Sequence, residues 1–146
     1  MEMKVLNREE IQKIIPHRDP MLLIDEITDL QREVSIEARF FVNPDREIFR
    51  GHFPGAPVLP GVYTVEIMAQ ASDVLLLSME RYEGTIPYFI GIDKVQFKAK
   101  IEPGDTLVIK SKIAKENREK GIVTCSAEVY NKDILACVGD VTLAMR

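Results

Sequence analysis

Between Gly61 and Arg81 the chain reads as a helix that is apolar on nearly every side, broken by one narrow stripe of Glu66, Gln70 and Asp73 at i, i+4 and i+7. Such a helix has to be enclosed, by lipid or by protein. Glu66, Gln70 and Asp73 would sit poorly in a bilayer, so no membrane insertion is expected and protein is the cover. An open sheet covers only one side of a helix. The economical enclosure is a strongly curved sheet wrapped around it.

Strand material lies on both sides of this segment. Met21 to Leu30 is rich in Leu and Ile and reads as a strand. Val34, Ile36, Ala38 and Phe40 alternate with Ser35, Glu37 and Arg39, the pattern of a half-buried strand. After the helix come four strand-like segments, at about 86–99, 105–117, 121–131 and 133–146. Pro103-Gly104-Asp105, Lys120-Gly121 and Asn131-Lys132-Asp133 supply the turns between them. Near the start, Asn7 and Glu10 form a capping-box pattern, and Pro16 stops the short helix that carries Ile11, Ile14 and Ile15. The expected class is α+β: a curved, mostly antiparallel sheet of about six strands around one long central helix. A sheet edge and one side of the helix remain to be covered, which predicts a dimer.

With 146 residues the chain suits a single domain, residues 1–146. Its net charge of −4 argues against nucleic acid as the main partner. The charged N-terminal stretch Met1–Glu10 lacks a long apolar run, so no signal peptide is expected there. Cys125 and Cys137 sit in alternating strand patterns without metal-ligand spacing, and are expected to be reduced core residues in a cytoplasmic protein. No phosphate loop, dinucleotide fingerprint or nucleophile elbow occurs.

Chemistry concentrates in 43–70. The loop 43–60 contains Pro44, Pro54, Pro57 and Pro60, and is too long to be mere connection. It holds His52 in Gly51-His52-Phe53-Pro54-Gly55, a stiff mount suited to proton transfer, although a loop histidine can also serve only local hydrogen bonding. Glu66 lies among apolar neighbours, where a charge costs on the order of several kcal/mol unless paired or used. Gln70, one turn on, can orient its carboxyl group. Apolar surroundings would let Glu66 hold a proton near neutral pH and act as an acid; a solvent-facing stripe is the alternative. Pro60-Gly61-Val62 opens the helix, where free amides and the positive end of the dipole can receive a carbonyl oxygen, or simply start a helix. His17, in Pro16-His17-Arg18-Asp19-Pro20, reads as a packed or turn-satisfied residue. Lys94, Lys98, Lys100, Lys110 and Lys112 mark solvated strand faces or a docking surface for an acidic partner.

Three stretches carry a resemblance that spans nearly the whole chain: Ile14 to Asp25, Gly51 to Gln70, and Phe89 to Lys98 with Pro103-Gly104-Asp105. They resemble the 3-hydroxyacyl-[acyl-carrier-protein] dehydratase family of bacterial type II fatty acid biosynthesis, the FabZ class. The resemblance implies a hot-dog fold and a homodimer sharing each site, with dimers assembling as trimers into hexamers. It implies His52 as base from one subunit and Glu66 as acid from the other, with the Gly61 amide polarising a thioester carbonyl. Val62 lies close to that site, and Tyr88 and Phe89 are implied to line or gate an acyl tunnel. The implied partner is acyl carrier protein bearing a 3-hydroxyacyl phosphopantetheine, with no metal or redox cofactor. Ile67 stands where the family more often has alanine, and Tyr63 and Thr64 are more polar than its usual residues. The related isomerising dehydratases usually carry aspartate at the position of Glu66. The rival readings are a hot-dog acyl thioesterase, in which the His52 loop has no assigned task, and a non-catalytic acyl or carrier-protein binding module.

Overall fold

A computed structural model describes residues 4–146, so Met1–Met3 of the charged N-terminal stretch lie outside the described residues. Helix α1 (Arg8–Gln12) is followed by strands β1 (Glu26–Gln31) and β2 (Ser35–Phe41). Helices α2 (Ile48–Gly51) and α3 (Gly61–Leu77) come next, then β3 (Pro87–Phe97), β4 (Thr106–Asn117), β5 (Ile122–Asn131) and β6 (Ile134–Met145). The six strands form one antiparallel sheet in the order β1-β2-β4-β5-β6-β3. Register shifts in β1, β3 and β4 interrupt the ladders; such irregularities bend and twist strands.

The sheet wraps α3, which packs against β2, β4, β5 and β6. From Thr64 to Leu77 every residue of α3 except Glu66 is buried. Facing it are the inward residues of alternating strands, among them Phe40, Leu107, Ile109, Val123, Val129 and Val141. The polar stripe therefore does not face solvent. Gln70 and Asp73 are enclosed, and the stretch before β1 closes that side of the helix through His17, Met21 and Leu23.

Three boundaries differ from the sequence reading, each for a physical reason. The central helix stops at Leu77, not Arg81: the Ser78 hydroxyl donates to the Leu75 carbonyl, and Met79 turns to an extended conformation. Arg81 sits in a short 3-10 turn instead, where its guanidinium reaches Glu116 at 2.8 Å and Glu33 at 2.7 Å. The first strand starts at Glu26, not Met21, because the backbone of Met21 and Leu23 bonds to a helix side chain rather than to a neighbouring strand. The long loop contains the unforeseen helix α2, pinned by buried Phe49. The predicted cap forms as read: the Asn7 side chain accepts from the Glu10 amide while Glu10 accepts from the Asn7 amide.

Cys125 and Cys137 are unpaired and buried. Burial pushes their thiols up to about 12 and about 11, so both are inert packing residues.

Candidate active site

Glu66 projects from the second turn of α3 and keeps 23% of its side chain exposed. Burial pushes its carboxyl group above the usual range, and a hydrogen bond from Gln70 works against that rise. Gln70 itself is fully buried and held from three sides. Its Oε1 accepts from the Leu23 amide at 2.8 Å, and its Nε2 donates to the Met21 carbonyl at 2.8 Å and to Glu66 Oε2 at 2.7 Å. The Leu23 N–H can only donate, so it fixes which end of the amide faces Glu66. The predicted i, i+4 pair thus forms, and the chain before β1 anchors it. Replacing Gln70 with Leu strands the buried Leu23 donor and frees the carboxyl. Urea denaturation should show a loss of about 2–4 kcal/mol for Gln70→Leu, and an unchanged midpoint would remove the clamp from this account.

His52 caps α2 and is half-buried in the proline loop. Its Nδ1 lies 2.8 Å from the Val58 carbonyl, and its ring stacks on Phe53 with centroids 4.0 Å apart. A carbonyl only accepts, so in this bond Nδ1 carries a proton and Nε2 is the nitrogen left free of it. The loop is therefore a fixed mount that presents Nε2. Among the described residues, no hydrogen bond or ion pair joins His52 to Glu66 within one chain.

Gly61 is the first residue of α3, after Pro60. A methyl group added there would lie 2.9 Å from the Phe97 ring. An apolar groove opens beside this helix end, lined by Leu59, Gly61, Thr64, Phe97, Ala136 and Cys137. Gly61, whose amide has no intrahelical partner at the first position of a helix, borders this groove, while the Tyr63 and Thr64 amides donate to the Pro60 carbonyl. Val62 follows at 73% exposure. On β3, Tyr88 and Phe89 point to opposite faces: Tyr88 is 52% exposed, whereas Phe89 packs against the core. Within one chain they do not form a common wall.

Two polar groups near Glu66 were weighted differently by the sequence. His17 is not satisfied by its own turn: its Nδ1 is buried without a partner, while Nε2 lies 3.9 Å from Glu66 Oε2 and 3.6 Å from Asp73 Oδ2. Asp73 is 2% exposed, and its Oδ1 also lacks a partner. Burial pushes its carboxyl group up, and the neighbouring Glu66 charge pushes it further; burial pushes the His17 imidazole down, as does Arg18. The i+7 spacing from Glu66 was the available signal for Asp73. His17 carried none, because its partners lie far away in sequence.

Among the described residues, no helix is long and apolar enough to cross a membrane. Comparison with known proteins places the chain. A FabA-like domain family matches residues 15–138. The 3-hydroxyacyl-[acyl-carrier-protein] dehydratase FabZ of Clostridium beijerinckii is 42% identical over 97% of this chain and 100% of its own length. The protein of the same name from Oenococcus oeni is 42% identical over 94% of this chain and 97% of its own. Among solved structures, the dehydratase heterocomplex ApeI:P from Xenorhabdus doucetiae superposes with a TM-score of 0.78 at 18% identity, covering 93% of this chain and 90% of the other. Zebra fish thioesterase superfamily member 2 superposes with a TM-score of 0.67 at 14% identity, covering 97% and 99%. At those identities the structural likeness speaks for the hot-dog fold alone, while the sequence matches reach further: the chain belongs to the FabA-like family, among the 3-hydroxyacyl-[acyl-carrier-protein] dehydratases of the FabZ class.

Proposed function

We propose that the protein is a hydro-lyase that removes water from a (3R)-3-hydroxyacyl chain carried on acyl carrier protein, giving the trans-2-enoyl thioester of type II fatty acid biosynthesis. His52 Nε2 takes the proton from C2. Glu66 gives its proton to the departing 3-hydroxyl, which leaves as water. The Gly61 amide donates to the thioester oxygen and stabilises the enolate-like charge that develops as C2–H breaks. In the reverse direction each group plays the opposite part. The apolar groove beside Gly61 suits the acyl chain.

The observation that carries this reading is the mount of the imidazole: the Val58 carbonyl engages Nδ1, so Nε2 is the ring nitrogen left to exchange a proton with substrate. A hydrolytic thioesterase would leave that mount unused. Incubation with (3R)-3-hydroxyacyl carrier-protein thioesters of several lengths, read by mass, tests the proposal. Loss of one water with the thioester intact is the expected product. Release of free thiol would move the chain to the thioesterases, and unchanged substrate despite binding would make it a binding module.

The site needs a second copy of the chain in this reading, so that His52 of one protomer meets Glu66 of the other in a cytoplasmic homodimer that assembles further into hexamers. Strand β3 ends the sheet, with one edge unpaired among the described residues, and it exposes Tyr88, Ile90 and Ile92 at 52%, 54% and 60%. An apolar free edge of this kind is a template for another strand. Ile92→Lys is expected to shift light-scattering mass to the monomer and to abolish turnover together with it. A monomeric variant with full activity would contradict the shared site.

A further inference from the structure

At the back of Glu66 lies a pair, buried Asp73 and half-buried His17, that the elimination chemistry does not use. His17 Nε2 sits between two carboxyl groups, 3.6 Å from Asp73 Oδ2 and 3.9 Å from Glu66 Oε2. The Asp73 side chain is 2% exposed, and among the described residues neither its Oδ1 nor the buried His17 Nδ1 has a hydrogen-bond partner. Two unsatisfied polar atoms in one buried cluster are costly, and a purely structural cluster would be expected to satisfy them.

We propose that Asp73 and His17 are a proton-holding pair that acts through Glu66: a proton passes from the Asp73 carboxyl to His17 Nε2 as Glu66 gives its own proton away.

The proposed transfer starts from a cluster with protons on Glu66 and Asp73 and a neutral His17, the arrangement toward which burial pushes all three groups. During dehydration the Glu66 proton leaves with the hydroxyl group. The Asp73 O–H bond then breaks and an N–H bond forms at His17 Nε2, which leaves an imidazolium between two carboxylates. The total proton count of the cluster falls by one, the proton carried off in water, and reprotonation of Glu66 sends the other back to Asp73. The direction follows from Coulomb attraction: the migrating proton moves to the nitrogen that faces the new negative charge. The Glu66 carboxylate is half-buried with Gln70 as its donor, and the imidazolium adds an opposite charge beside it.

Other groups facing the cluster do not supply that charge. Arg18 neighbours His17, but its guanidinium is bound to the carbonyls of Gln12, Ile15 and His17. From β5, Cys125 faces Asp73 with a thiol held neutral by burial. Ser72 on α3 and Ser111 on β4 bond to each other at 2.7 Å, and Gln70 contributes a neutral amide.

The chain has two histidines, so nitrogen-15 histidine NMR resolves His17 once His52→Ala identifies the other signal. In the wild-type protein without substrate, His17 is expected to become imidazolium as pH rises through the ionisation of Glu66, and to lose that proton only at higher pH. That is the reverse of an ordinary histidine titration. In Glu66→Gln and in Asp73→Asn it should stay neutral across about pH 5 to 9. Asp73→Asn should lower kcat about tenfold with KM within twofold, and should move the alkaline limb of the kcat profile upward. His17→Gln should do the same, and the two changes together should cost no more than either alone. A neutral His17 at every pH in the wild type, an imidazolium that persists in Glu66→Gln, or an unmoved alkaline limb in Asp73→Asn would each overturn the proposal. If Asp73→Asn fails to fold, the wild-type and Glu66→Gln spectra still decide. The account of turnover rests on the dehydratase reading, but the NMR titration needs no substrate, so failure of one is distinguishable from failure of the other.

Discussion

Glu66→Gln is expected to lower kcat by roughly 10²–10⁴-fold while the fold and the carrier-protein affinity remain. The substitution keeps the volume and can still meet Gln70, so the loss isolates the proton. In the wild type, burial keeps this carboxyl group protonated above the usual carboxylate range. A group that works as an acid is competent below its own pKa, so kcat should fall as pH rises through the raised value. The Gln70 hydrogen bond works against that rise, which in the proposed mechanism favours transfer of the Glu66 proton to a departing hydroxyl. A Glu66→Gln protein that retains a tenth of wild-type turnover would remove Glu66 from the mechanism.

His52→Ala is expected to cost a similar roughly 10²–10⁴-fold in kcat, for the complementary reason that no other group accepts the C2 proton. The imidazole is fixed from two directions, by the Val58 carbonyl at Nδ1 and by stacking on Phe53. Positioning of this kind lets a proton-transfer group act without reorganising first. Exchange of the substrate C2 hydrogen for deuterium from solvent separates the two variants. Glu66→Gln, with its base intact, should retain more exchange than His52→Ala. Equal exchange in both would mean that His52 is not the base.

What the sequence made legible was what depends on neighbours a few residues apart. The all-round apolar pattern of α3 required a wrapped sheet, and the sheet wraps it. The Glu66–Gln70 pair follows from helix geometry alone, and it forms at 2.7 Å. The alternation in β2 and β5 placed both strands within a residue of their observed limits. Distant partners escaped. Met21 and Leu23 look like strand residues by composition, yet Gln70, far along the chain, takes their backbone bonds. His17 looked like a turn residue because nothing near it in sequence reveals Glu66 and Asp73. Asp73 looked like part of a wet stripe, and only the enclosing chain before β1 makes it dry. The proposed meeting of His52 with Glu66 depends on how two copies pair, so no local pattern carries it and only the family resemblance implied it.

That meeting can be measured by subunit complementation. His52→Ala and Glu66→Gln proteins, each inactive alone, are mixed, unfolded and refolded together so that protomers reassort. If each site takes its imidazole from one protomer and its carboxyl group from the other, half of the dimers are mixed and each holds one intact site, so about a quarter of wild-type turnover returns. Absence of recovery in a mixture shown by mass to contain mixed dimers would contradict the account.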